Sequence, residues 1–274
     1  MNSPAGLRRP VVIAHRGGAP REIENSAAAF RHAVAVGADA LECDVRVTAD
    51  GVLVLLHDGE IRLEHNGRLT VRQAPYALLK GALPWLLTLE EFLTEFGDQA
   101  LVNLDLKGMG YEEELAQTLR AWGQLERVFI TSQRSLSLRR LACLLPEAAR
   151  GLSRGHALSR WPCRLRGRGA VAARWPLALQ LAIGMRYARA NTVALHHRMV
   201  TPRLVRWLLR AGYAVTAWTL DDPEEARRVI RAGVWVLTTN EPDDLIAALG
   251  CANRPACAGC RGWHEVFAQV TQAA

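Results

Sequence analysis

The sequence predicts an α/β protein, a single-domain (β/α)8 barrel of the TIM type. Three observations predict it. Short apolar runs alternate with helical stretches almost from end to end, the pattern of a parallel sheet wrapped by helices. The candidate strands are about as many as such a barrel needs, and no repeat, low-complexity tract or domain-sized linker divides the 274 residues. Residues capable of chemistry gather at the carboxyl ends of those strands, where barrels of this kind build their sites.

Residues 1–10 are read as an N-terminal extension, 11–249 as the barrel and 250–274 as a Cys-containing C-terminal tail. The first strand, Val11–His15, leads to a helix over Ser26–Val36. The second, Ala40–Val45, is followed by Val52–Leu56, with only Arg46–Gly51 between them. That link is too short for a crossover helix, and Asp50-Gly51 is a hairpin signal, so it is irregular and helix-free. Thr88 and Glu91 form a capping box for the helix Leu89–Phe96, which precedes the strand Leu101–Lys107. Helix Glu112–Trp122, strand Arg127–Thr131, helix Leu136–Leu145 and strand Ala149–Leu152 follow. After a long Arg/Trp/Gly-rich connection, Arg154–Trp175, come strands Asn191–Leu195, Tyr213–Trp218 and Val234–Thr238 with helices Pro202–Ala211 and Pro223–Ala232 between them. Asp222-Pro223 caps and opens the last of these helices. Nine strands compete for eight places, and Ala149–Leu152 is the weakest of them.

Half of the residues are hydrophobic and 22% are charged, which excludes collagen, coiled coil and wholesale disorder. The N-terminus lacks the apolar stretch and cleavage site of a signal peptide, and no apolar run reaches the roughly 18 residues of a membrane span. A cytoplasmic protein with reduced cysteines is the expectation. The net charge of +7 is uneven, with thirteen Arg and no acid or Lys between Ala148 and Leu220. Solvated Arg on outer helix faces accounts for this without a specific nucleic-acid partner, and peripheral membrane contact through Arg154–Trp175 is the alternative. Cys251, Cys257, Cys260 and His264 supply four ligands of the zinc type. Their first spacing is irregular and the stretch short, so an inert tail is expected rather than a Zn²⁺ site.

The strand ends carry the chemistry. Val11–Ala14 runs into His15-Arg16-Gly17-Gly18, where glycines let the backbone approach a ligand that the Arg can grip, as an oxyanion requires. In Glu42-Cys43-Asp44 the period of two turns both carboxylates inward. Paired inward carboxylates repel unless a cation lies between them, and a divalent ion with oxygen ligands, Mg²⁺ or Ca²⁺, is the economical answer. The alternation in Leu101–Lys107 turns Asn103, Asp105 and Lys107 inward, adding a third carboxylate and one of the two Lys in an Arg-dominated chain. His57 follows Val52–Leu56 and, with His15, makes a pair suited to general acid and general base.

These residues resemble the glycerophosphodiester phosphodiesterases: His15-Arg16-Gly17, Glu24-Asn25, Glu42-x-Asp44, His57-Asp58 and Asp105-x-Lys107 carry the likeness. It extends through Pro84–Phe92, Ile130–Gln133, Trp218-Thr219 and Gly233–Pro242. The resemblance implies a phospholipase-C-like barrel that cleaves glycerophosphodiesters to glycerol 3-phosphate and an alcohol. It also implies a divalent cation on Glu42, Asp44 and Asp105, proton exchange by His15 and His57, and substrate contacts from Arg16, Lys107, Asn25 and Trp218. Asp105 stands where the family usually carries Glu, and Asn240 and Trp235 where it carries acids. Two other readings share these residues, a lysophospholipase D acting on lysophospholipids and a non-catalytic phosphodiester-binding barrel. The full set of two imidazoles and three carboxylates favours catalysis, since binding alone does not need a paired acid and base.

Overall fold

A computed structural model describes residues 9–18, 22–63, 67–155, 174–250 and 261–272. Strands β1 (Val11–Ala14), β2 (Ala40–Val47), β6 (Leu101–Leu106), β7 (Val128–Ser132), β8 (Ala149–Arg154), β9 (Thr192–His196), β10 (Ala214–Trp218) and β11 (Val236–Thr239) pair in parallel, and β1 joins both β11 and β2. The sheet therefore closes into an eight-stranded barrel, which leaves no edge in the ring to protect. Helices α1 (Ala27–Ala35), α3 (Leu89–Phe96), α4 (Glu112–Trp122), α5 (Ser135–Leu144), α6 (Arg174–Ala188), α7 (Pro202–Arg210), α8 (Pro223–Arg231) and α9 (Pro242–Ala248) follow or precede these strands. Two of their starts are fixed as expected. Thr88 and Glu91 complete a reciprocal capping box at 2.8 and 3.1 Å, and Asp222 accepts from the Glu224 N–H at 2.9 Å.

The strand outside the ring is not the one the sequence suggested. Ala149–Arg154 is a full barrel strand, parallel to β7 and β9. The extra strand is β3 (Leu53–Leu55), which runs antiparallel to the end of β2 with Val45 opposite Leu55 and Val47 opposite Leu53. The short Arg46–Gly51 link leaves no other solution, because parallel neighbours need a crossover long enough to return the chain. Beyond β3, the hairpin β4 (Glu60–Arg62) and β5 (Arg68–Thr70) and helix α2 (Tyr76–Ala82) enclose a small apolar cluster around Val54, Leu56, Val71, Leu79 and Leu86.

The final helix, α10 (Trp263–Gln272), packs at the amino-terminal end of the barrel, against Val102 and Phe129, the second residues of β6 and β7. Trp263 is fully buried, its indole N–H donates to Val102 O at 2.9 Å, and its ring lies 5.2 Å from Phe129 and from Phe267. Room for Phe129 inside the ring is provided by Gly151, where a Cβ would come within 2.5 Å of the phenyl carbons. Cys251, Cys257 and Cys260, three of the four zinc-type ligands of the tail, lie outside the described residues. His264 is engaged elsewhere, with Nε2 at 2.6 Å from Glu147 O.

Candidate active site

The carboxyl end of the barrel collects the polar residues that the sequence turned inward. After β1 the chain makes a tight turn, His15-Arg16-Gly17-Gly18, in which Arg16, Gly17 and Gly18 all adopt positive φ. Gly17 is required on two counts: its φ is +88°, and a Cβ would meet Ala29 Cβ at 2.6 Å. The turn aims the Arg16 N–H at Glu42 Oε2, 2.9 Å away, and brings Arg16 Nε within 3.0 Å of Asp44 Oδ2. Arg16 also pairs with Glu24 at 2.7 Å.

Parallel pairing of β2 with β6 sets Glu42 beside Asn103 and Asp44 beside Asp105. One carboxylate oxygen from each of Glu42, Asp44 and Asp105 lies within 4.8 Å of the others. Lys107 Nζ bridges the cluster at 2.8 Å from Asp44 Oδ1 and 2.5 Å from Asp105 Oδ2. Burial, and next the Asp44 charge, push the Glu42 carboxyl well above the usual range. Asp44 is equally deep, and burial alone would raise it too, but Lys107 and Arg16 overcome that and hold it below its ordinary value. Burial would lower Lys107, yet Asp105 and Asp44 raise it. This donor set fits a hard divalent cation: three carboxylates converge and offer oxygen ligands alone.

His15 is largely buried. Its Nδ1 lies 2.6 Å from Asn240 Oδ1 and its Nε2 lies 3.9 Å from Glu42 Oε2. Burial, then the Arg16 charge, lower its pKa and so favour the neutral imidazole. His57 reaches this end by the antiparallel return of β3: the Leu56 N–H donates to Asp44 O at 2.9 Å, which brings the chain back to the level of the carboxylates. Arg46 grips that return, donating to Leu56 O and His57 O, while His57 Nδ1 pairs with Asp58 at 2.8 Å. His57 is the more exposed of the two imidazoles.

Asn25 is bound to Asp44. It is fully buried, with Nδ2 donating to Asp44 Oδ2 and Oδ1 accepting from the Asp44 N–H, each at 3.0 Å, so both ends of its amide engage one residue. Trp218 ends β10 with its indole N–H on Ala194 O at 3.3 Å and its ring edge-on to His196. Two orienting residues escaped sequence reading. Thr131, on the strand beside β6, donates to Asp105 Oδ1 at 2.9 Å, and Asp221 holds the Asn240 amide. Thr131 faces inward at the register of Asp105, a signal visible only once β7 is known to neighbour β6.

The chain matches the glycerophosphoryl diester phosphodiesterase family over residues 15–244. It is 31% identical over 257 residues to the glycerophosphodiester phosphodiesterase of Caldanaerobacter subterraneus subsp. tengcongensis, covering 87% of this chain and 97% of that one. In three dimensions it resembles an Oleispira antarctica phosphodiesterase solved with the product sn-glycerol-3-phosphate, with TM-score 0.70, 24% identity and coverage of 89% and 97%. The glycerophosphodiester phosphodiesterase of Thermotoga maritima aligns with TM-score 0.68 and 20% identity, covering 88% of this chain and 98% of that one. At these identities the structural likenesses establish the fold.

Proposed function

This chain belongs to the glycerophosphoryl diester phosphodiesterase family and is a glycerophosphodiester phosphodiesterase; from that premise we propose that it works with a divalent cation and a pair of histidines. The observation that carries the proposal is the convergence of Glu42, Asp44 and Asp105 beside His15 and Arg16. Glu42, Asp44 and Asp105 would hold the cation, which supplies positive charge to phosphoryl oxygens as negative charge grows on them.

The remaining work falls to the chain's own residues. Arg16 and Lys107 are the cations that face the phosphate, and Asn25 serves by fixing Asp44 rather than by touching substrate. His15 takes the proton of the attacking hydroxyl, of water or of the neighbouring glycerol, as the new oxygen–phosphorus bond forms. His57 gives a proton to the alcohol oxygen as its bond to phosphorus breaks. Trp218 contributes an apolar wall at the carboxyl end of β10. Where the glycerol hydroxyl attacks, the first step leaves a cyclic phosphate, which water then opens as His57 takes the water's proton and His15 returns its own to the departing glycerol oxygen; by either route the products are glycerol 3-phosphate and an alcohol.

A coupled assay for glycerol 3-phosphate release from glycerophosphocholine tests this reading. Activity is expected to vanish after chelation and to return with Mg²⁺ or Ca²⁺. Full turnover in protein verified to be metal-free would overturn the cation's role.

A further inference from the structure

His15 has its orientation and tautomer imposed from two other strand ends. Asn240, just after β11, offers Oδ1 to His15 Nδ1 at 2.6 Å. An asparagine amide could equally turn its NH₂ that way, so something must decide. Asp221, following β10, decides it. Its Oδ2 accepts from Asn240 Nδ2 at 2.8 Å, and its Oδ1 accepts from the Asn240 backbone N–H at 2.8 Å and from Thr239 Oγ1 at 3.2 Å. A carboxylate can only accept, so the NH₂ must face Asp221 and the carbonyl must face His15. The carbonyl in turn can only accept, so Nδ1 must carry the ring proton.

We propose that Asp221 and Asn240 are positioning residues which lock His15 as its Nδ1–H tautomer and leave Nε2, the nitrogen nearer Glu42, as the proton acceptor. The assignment rests on the two-histidine reading above and deepens it by naming the ring nitrogen with which His15 takes the proton and the residues that keep that nitrogen unprotonated. It also gives the Asn240 position a defined requirement. What reaches His15 must be an acceptor, and what stands behind it at 221 must complement it.

That complementarity makes an exchange of the two side chains the decisive experiment. In Asp221→Asn, two amides meet, and the NH₂ of residue 221 in the place of Oδ2 would face the Asn240 NH₂. Asn240 turns over, presents a donor to Nδ1, and His15 changes to its Nε2–H form. In Asn240→Asp, two carboxylates meet and repel. In the double variant Asp221→Asn/Asn240→Asp, donor again faces acceptor, and the carboxylate introduced at position 240 again accepts from Nδ1.

¹⁵N NMR of histidine-labelled protein, with the His15 signals identified by their loss in His15→Ala, reads the tautomer without any substrate. The expected result is Nδ1–H in the native chain and in the double variant, and Nε2–H in Asp221→Asn. Glycerol 3-phosphate release should fall in kcat by about 10²-fold in Asp221→Asn, the lower range for a lost acid or base, with KM little changed. The double variant should regain most of that loss, and melting temperatures identify any variant that has simply failed to fold. A native tautomer in Asp221→Asn, or a folded double variant no more active than the poorer single one, overturns the proposal. The tautomer arm stands even if the activity itself is assigned wrongly, so the two failures are distinguishable.

Discussion

At the scale of single residues, the two histidines do not share an environment, and their removal should be felt differently in stability but alike in rate. His15 is held by Asn240 inside the barrel mouth, whereas His57 sits on the return of a hairpin and pairs with its neighbour Asp58. His15→Ala and His57→Ala are each expected to lower kcat by about 10²–10⁴-fold, roughly 3–5 kcal/mol of barrier. Near-native turnover in either variant would remove that histidine from proton transfer. Lys107 gives a sharper case. Its ammonium occupies a narrow gap between Asp44 and Asp105, where a point charge fits and a planar fork does not. Lys107→Arg should therefore reduce kcat/KM severely at unchanged formal charge. If its kinetics match the native enzyme, Lys107 serves only to neutralise carboxylates, and Arg16 is left as the cation on the phosphate.

At the scale of elements, the strand pairing decides what the side chains meet. The carboxylates on β2 and β6 were legible because the period of two declares which residues share a face. His57 was legible as the second imidazole, but its level in the mouth was not, because that depends on the register of β3 against the end of β2. The closing helix α10 was also invisible as such: its sequence reads as the end of a tail, yet it buries an aromatic group against Phe129. Trp263→Ala deletes that ring and leaves Val102 O without its indole donor. The expected cost is about 3–5 kcal/mol, measured by denaturant unfolding, with specific activity of the folded protein retained, since the helix lies at the end opposite the carboxylates. A loss below about 1 kcal/mol would mean that the helix is peripheral to the core.

At the scale of the whole molecule, the site's charge couples to the stability of the fold. Burial and Asp44 raise the Glu42 pKa, so without a cation the folded chain keeps a proton that the unfolded chain has released. Stability must then fall as pH rises from the ordinary glutamate value through the folded one. Asp44 is lowered and acts in the opposite sense, but its contribution is complete above its unfolded value and lost only as pH falls through the folded one. A divalent cation held as proposed would take the place of the Glu42 proton. The rise in melting temperature on adding Mg²⁺ or Ca²⁺ should therefore be larger at about pH 8 than at about pH 5. Equal increments would show that Glu42 does not hold the ion. Elsewhere, part of the Arg excess between Ala148 and Leu220 has a structural use: Arg150 donates to Leu145 O and Ala148 O, and Arg154 to Gln133 O.

By itself the sequence determined the alternation of strands and helices, the inward faces of β2 and β6, and the residues that end β1. All of these follow from periods of two and of 3.6 that act within a few neighbours. The closed order of strands came from tertiary structure, and with it the choice of Ala149–Arg154 over Leu53–Leu55 as a barrel member. So did every contact made across the mouth. His15 and Asn240 are 225 positions apart, and Asn25 and Asp44 are 19. No local pattern specifies such pairs, because hydrogen bonding depends on distance and angle in space, which only the closure of the ring supplies.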